Sequence, residues 1–206
     1  MQQQSLNIVL AATEDGRYLS ASAEAAISVC HDCGVNAKFI VVASASNASG
    51  VREALSAWPE IEVLLSNTIS LGQLYNSGAD ASAGELLLFL REGILLEKDA
   101  LQALLNALVL DESIAAVAPF TNRTIYSWQD LNAAHMQEGE ESPSAWLRRR
   151  IIGSTDSIFL ENFMLLMRRS VFEQIGKFSV DFEGTGGEDI DLSFRLKCAG
   201  YHLLRV

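Results

Sequence analysis

Leu6-Asn7-Ile8-Val9-Leu10-Ala11-Ala12, an amphipathic stretch from Leu19 to Cys33, and then Phe39-Ile40-Val41-Val42-Ala43 form the succession that decides the fold. The two outer runs are short and almost wholly apolar, which suits strands buried on both faces of a sheet. A helix between them makes their pairing parallel. Working outward, the pattern predicts a strand at Ile61 to Leu65, a helix at Ser70 to Ala83 closed by Gly84, and a strand at Glu85 to Leu90. From Lys98 to Leu110, Leu101, Leu104, Leu105 and Leu108 recur at helical spacing, with Asp99 placed to favour the helix N-terminus. A strand at Ser113 to Pro119 completes the alternation of strand and helix expected of a doubly wound, Rossmann-like nucleotide-binding fold.

Between Phe120 and Thr155 the periodicity fades. This stretch holds an acidic cluster (Glu138, Glu140, Glu141), Pro143 and the basic run Arg148 to Arg150, and reads as a partly helical excursion over the active face. Order returns at Ile158 to Arg168, followed by a short helix at Ser170 to Ile175 and a glycine-rich loop at Gly184 to Gly187. A helix at Asp189 to Cys198, ended by Gly200, leads into a closing strand at Tyr201 to Val206. The chain therefore reads as one α/β domain of two abutting halves, 1–119 and 120–206. Its end inside a predicted strand suggests further domains after Val206.

With 206 residues, 49% of them hydrophobic and 20% charged, a substantial core can be buried. A net charge of −11 argues against nucleic acid as a partner, since basic surfaces bind phosphate backbones, and makes anionic membrane a poor default partner. No run reaches the roughly 18 apolar residues of a membrane span, and Met-Gln-Gln-Gln-Ser lacks the basic and apolar regions of a signal peptide, so the expected location is cytoplasmic. Three cysteines form no disulfide framework. Cys30-His31-Asp32-Cys33 has zinc-like spacing, but it closes a helix and has no second pair, so helix-end cysteines are the simpler account.

The segment Gly186-Gly187-Glu188-Asp189-Ile190-Asp191-Leu192-Ser193-Phe194-Arg195-Leu196, with Gly200-Tyr201, is similar to the Glu-Asp signature of the family 2 glycosyltransferases, whose fold is GT-A. Met167 to Phe178 resembles the family's link into that signature. Leu71-Gly72-Gln73-Leu74-Tyr75-Asn76-Ser77-Gly78, followed by Ala83-Gly84-Glu85 and a strand, resembles the approach to its Asp-x-Asp site. The resemblance covers nearly the whole chain, least well over residues 120 to 155.

It implies a nucleotide-sugar donor at the carboxyl ends of the first strands, with Thr13, Ser44, Asn76, Arg91 and Glu92 around it. The acceptor is a glycan or other hydroxyl, deprotonated by Asp189 with Glu188 in support. Trp128 and Trp146 could stack on acceptor sugar rings, or simply pack the excursion onto the sheet. Two acids in the first turn of a helix would also complement its dipole, and Asp191 with Arg195 forms an i, i+4 pair.

The pattern breaks on the donor side. Where the family has Asp-x-Asp, this chain has Arg91-Glu92-Gly93, and where the family carries an Asp that reads the base, it has Ala43. No cofactor is assigned on this basis. A magnesium or manganese ion would have to be held through Glu92 and the donor diphosphate. Two readings remain open: Arg91 supplies a fixed positive charge for metal-independent transfer, or the domain is a non-catalytic GT-A module that binds a glycan, a nucleotide or a partner domain.

Overall fold

The computed structural model describes residues 5–13, 16–121, 155–182 and 186–206. In chain order the elements are β1 (Leu6–Ala12), α1 (Leu19–Asp32), β2 (Ala37–Ser44), a 3-10 turn (Ala45–Asn47), α2 (Ala48–Ala54), β3 (Glu62–Ser66), α3 (Leu71–Asp80) and β4 (Leu86–Arg91). They continue with α4 (Lys98–Leu108), β5 (Ile114–Ala118), β6 (Thr155–Asp156), β7 (Met164–Arg168), α5 (Arg169–Gln174), α6 (Glu188–Cys198) and β8 (His202–Arg205). The short helix α2 follows β2 where the pattern gave no helix. The predicted helices ending at Ala83 and Leu110 stop at Asp80 and Leu108.

The eight strands form one mostly parallel sheet in the order β3-β2-β1-β4-β7-β5-β8-β6. The apolar runs of β1, β2, β3 and β4 pair in parallel, whereas β7 runs antiparallel to both β4 and β5, and β6 antiparallel to β8. The strand after α4 therefore does not lie beside β4. A strand from the second half of the chain is inserted between them, and strands from both halves share one sheet.

Strand alternation divides the core into two layers. Leu6, Ile8, Leu10, Leu86, Leu88 and Leu90 face α1, α2 and α4. Val9, Ala11, Leu87 and Phe89 face α3, α5 and α6. In the second layer four rings meet: Tyr75 from α3, Phe89 from β4, Phe172 from α5 and Phe178 beyond it. Their centroids lie 5.0 to 5.5 Å apart at tilted or edge-on angles.

Two adjacent arginines at the end of β7 join helix ends to the sheet. Arg168 donates to the carbonyls of Ile114 and Leu108, and Arg169 donates to Ala79 O (2.8 Å), Gly84 O (2.6 Å) and Ser82 Oγ (2.6 Å). Leu108 O and Ala79 O are among the last carbonyls of α4 and α3, groups a helix leaves without an internal partner.

α3 lies close on β1 because Gly78 has no side chain. A Cβ there would meet Val9 Cγ1 at 2.2 Å and Val42 Cγ2 at 3.0 Å. Both valines are rigid β-branched residues in the sheet, so the contact cannot relax cheaply. Gly78→Ala should therefore destabilise the protein by about 1–2 kcal/mol: so close an approach to a stiff side chain costs about 2–3 kcal/mol, in the upper half of the overpacking range, set against about 1 kcal/mol of gained helix propensity. Urea denaturation followed by far-UV circular dichroism measures this, and an unchanged midpoint would contradict the close packing of α3 on β1.

Candidate functional site

The carboxyl ends of the central strands are brought level by their register. Ala12 pairs with Ala43, Ala11 with Arg91, and Ser44 with Ser66, so Thr13, Ser44, Arg91 and Glu92 lie along one edge of the sheet. Ser44 is buried, and its hydroxyl shares a 2.9 Å hydrogen bond with Ser46 as the chain turns into the 3-10 helix. Ala43, at the position the resemblance assigns to base reading, is wholly buried in the α1 layer of the core and presents no polar group.

Arg91 and Glu92 turn to opposite faces. Alternation from Leu87 and Phe89 carries Arg91 to the α3 side, where its charge acts on the Tyr75 phenol. Its own N–H donates to Phe163 O at 2.9 Å, fixing the strand end against the loop before β7. Glu92 turns towards α1, where its Oε1 accepts the Tyr18 N–H at 3.2 Å beside the start of that helix. A carboxylate there complements the positive end of the helix dipole.

These residues do not suit a divalent cation. A hard cation needs several oxygen ligands converging on it. Here Arg91 is a cation, Gly93 has no side chain, and the one carboxylate, Glu92, is turned to the face opposite Arg91. Among the described residues no group of three or more His, Cys, Asp or Glu side chains is placed to hold a metal.

The acids of α6 lie on the Arg91 face of the sheet. Gly187 caps the helix with φ 92°, a left-handed backbone that glycine adopts without strain, and a Cβ there would run into the Phe182 ring at 2.7 Å. Glu188 and Asp189 follow, only 2% and 6% exposed. Glu188 Oε1 accepts from Asn162 Nδ2 at 2.9 Å, and Oε2 accepts the Gly186 N–H at 2.8 Å. Asp189 Oδ1 accepts the Ile190 N–H at 2.9 Å, and the backbone N–H of Asn162 also donates to this carboxylate.

Burial, reinforced by the charge of Glu188, pushes the Asp189 carboxyl above its ordinary range against the pull of those N–H groups. Further along the helix, Asp191 Oδ2 accepts from Arg195 at 2.6 Å and 2.9 Å. The same guanidinium donates to Ile175 O and Lys177 O, tying α6 to the end of α5.

Tyr75 connects the two sides. It is fully buried, and its hydroxyl donates to Asn162 O at 3.0 Å. Burial raises the affinity of this phenol for its proton, Arg91 opposes that shift, and Glu188 and Asp189 add to it, so all three charges are felt at one buried ring.

The structure thus gathers Arg91, Glu188 and Asp189 around Tyr75, with Thr13 and Ser44 along the strand edge and Glu92 turned to α1. Asn76 exchanges two hydrogen bonds with the Phe178 backbone, Nδ2 to O at 2.9 Å and N–H to Oδ1 at 3.1 Å, which locks α3 to the aromatic cluster. Trp128 and Trp146, with the acidic cluster and Arg148 to Arg150, lie outside the described residues. Cys30, Cys33 and Cys198 are free, with Cys30 buried under α1.

Asn162 and the hydroxyl of Tyr75 gained no role from the sequence. The available signal was slight: Asn162 is an amide just ahead of the apolar run Phe163 to Met167.

No protein-family model and no curated protein sequence matches this chain. Solved structures do share its fold. The mannosyltransferase PcManGT from Pyrobaculum calidifontis, in complex with GDP-Man and Mn2+, superposes with a TM-score of 0.71 at 14% identity over 100% of this chain and 55% of its own. GalNAc-T7 with UDP, GalNAc and Mn2+ gives 0.72 at 14% identity over 100% of this chain and 43% of its own. The catalytic domain of Drosophila β1,4-galactosyltransferase 7 in complex with xylobiose gives 0.64 at 14% identity over 98% and 64%. The chain spans about half the length of the first two. At this identity the likeness carries the architecture: the chain has the mixed α/β fold of GT-A glycosyltransferases.

Proposed function

We propose that the chain transfers a sugar from a nucleotide-sugar donor to a hydroxyl acceptor without a bound metal. The observation that carries this reading is the pair Glu188 and Asp189, buried at the start of α6 in a GT-A fold, with Asp189 held at raised proton affinity. A carboxyl group in such surroundings is a stronger base than one in water and suits removal of a hydroxyl proton. The acceptor oxygen, losing its proton to Asp189, bonds to the anomeric carbon. The bond from that carbon to the diphosphate oxygen breaks, and the electron pair leaves with the nucleotide.

The leaving diphosphate accumulates negative charge, and Arg91 is the cation at the edge of the sheet that meets it. Thr13 and Ser44 offer hydroxyls along the same edge. Glu92 orders α1 beside the site, and Asn76 holds Phe178 beneath the acids. A second reading, a module that binds a glycan, a nucleotide or a partner domain without transfer, is favoured by one observation: Ala43 and Gly93 remove the groups that read the base and hold the ion.

Calorimetric titration with UDP, GDP and CMP, in manganese and in chelator, separates the two. The expected result is binding of one nucleotide with equal affinity in both conditions, weakened about tenfold to a hundredfold by Arg91→Ala. A requirement for manganese would overturn the role given to Arg91, and no binding to any of the three would overturn transfer altogether.

Asp189→Asn should keep nucleotide binding and lose about 10²–10⁴ in kcat, the usual contribution of a positioned base. Turnover equal to that of the parent protein would refute the assignment.

The same substitution has a second signature. The folded chain holds the Asp189 proton more tightly than the unfolded chain, so stability falls as pH rises from the ordinary carboxyl range through the raised folded value. The amide that replaces this carboxyl does not titrate, so thermal melts between about pH 4 and about pH 8 should favour Asp189→Asn increasingly as pH rises. A stability difference that does not change with pH would contradict the raised proton affinity.

A further inference from the structure

We infer that Asn162 is the positioning residue of the acid pair, one residue that holds both carboxylates and joins them to the donor edge of the sheet. The inference deepens the transfer reading and rests on it only for the use to which the acids are put. Three groups of Asn162 are engaged. Its side-chain amide donates to Glu188 Oε1 at 2.9 Å, its backbone N–H donates to Asp189, and its carbonyl accepts the Tyr75 hydroxyl at 3.0 Å. The next residue, Phe163, accepts the Arg91 N–H at 2.9 Å through its carbonyl. Two consecutive residues, Asn162 and Phe163, therefore bind the carboxyl end of β4 on one side and the first turn of α6 on the other. Asn162 is 2% exposed, so water does not compete for these bonds.

The side-chain amide has a function that packing alone does not explain. Glu188 and Asp189 are adjacent buried acids, and the charge of Glu188 raises the proton affinity of Asp189. An amide N–H donated to Glu188 Oε1 fixes the orientation of that carboxylate, so the charge that raises Asp189 is held in one place. The groups facing Asp189 are Glu188 on its own helix, Asn162 from the loop before β7 and Tyr75 from α3, with Arg91 acting on Tyr75 from β4. Only Asn162 donates to both acids among the hydrogen bonds just described.

The test uses the whole chain with ¹³C-labelled side-chain carboxyls, titrated by NMR. Burial and the neighbouring Glu188 charge raise the Asp189 step, and this upper step reports how well the state with Asp189 charged beside Glu188 is held. Asn162→Ala removes a donor from that state and should raise the upper step by about one pH unit, and Asn162→Asp, which adds a third negative charge, should raise it further. Asn7→Ala is the control. Asn7 is a buried amide at the far end of β1, where it accepts the Gly84 N–H, so this variant should lose stability without moving the step.

An upper step unmoved in both Asn162 variants would overturn the inference. So would unfolding of both, which would make Asn162 a residue of the core alone. Where transfer is measured as well, kcat should fall in Asn162→Ala with KM for the donor unchanged. A shifted step in a chain that shows no transfer and binds no nucleotide would keep Asn162 as the organiser of the pair and remove the catalytic reading instead.

Discussion

Four rings fix the geometry on which the rest of this site depends. Tyr75, Phe89, Phe172 and Phe178 come from a helix and a strand of the first half of the chain and from a helix and a loop of the second, and they meet on one face of the sheet. Aromatic rings have few rotamers and broad faces, so a cluster of them sets inter-element distances more narrowly than aliphatic packing does. Because Phe89 is two residues before Arg91, and Tyr75 bears the hydroxyl that reaches Asn162, the position of this cluster passes directly to the charged groups above it. Asn76 reinforces it from α3 by holding the backbone of Phe178. The core and the site are consecutive layers of one packing arrangement.

Electrostatics then follow from which face each strand end presents. Arg91 and Glu92 are neighbours in sequence, but the pleat sends one towards the acids of α6 and the other towards α1. Had both turned to the same side, they would neutralise one another and leave little field for a ligand. Separated in this way, the positive charge stands on the same face as Glu188 and Asp189 with a buried phenol between them. A low-dielectric wall strengthens each of these interactions relative to water. For a chain of net charge −11, a single exposed cation would do little to attract an anionic ligand. A half-buried one fixed at a strand end keeps its effect at short range.

Much of this architecture was legible in the chain. The apolar runs of β1, β2 and β4 and the regularly spaced leucines of α4 give the parallel core directly, because strands covered on both faces have no polar side to disguise them. The insertion of β7 between β4 and β5 was not legible. Its residues, Met164 to Arg168, are mostly apolar in any sheet position, and nothing in their pattern distinguishes a parallel neighbour from an antiparallel one. Short α2 escaped for a different reason: Ala48-Ser49-Gly50 has weak helix propensity, and the helix is held by Val51 packing into the core. On the site, Glu188 and Asp189 carried a recognisable local sequence, whereas Asn162 did not. Its role arises from three long-range contacts, two with α6 and one with α3, and a single amide in a sequence cannot declare partners 26 and 87 positions away.

The two sides of the site differ in a way that physical chemistry makes intelligible. A metal site fails when its ligands are lost, because a hard cation tolerates neither a cationic nor a missing neighbour among so few oxygens. The acid side rests on other forces: burial and a charged neighbour raise the proton affinity of Asp189, and the N–H groups that donate to it pull the other way and limit the shift. Burying two acids side by side is nonetheless expensive for stability unless something in the structure uses them or holds them. Asn162, the Gly186 and Ile190 N–H groups and the start of α6 offset part of that cost. An acid pair kept for the helix dipole alone would gain as much on the half-buried side of the first turn, where Asp191 pairs with Arg195. That Glu188 and Asp189 are buried instead, on the same face as Arg91, is the feature of this chain that helix capping does not account for.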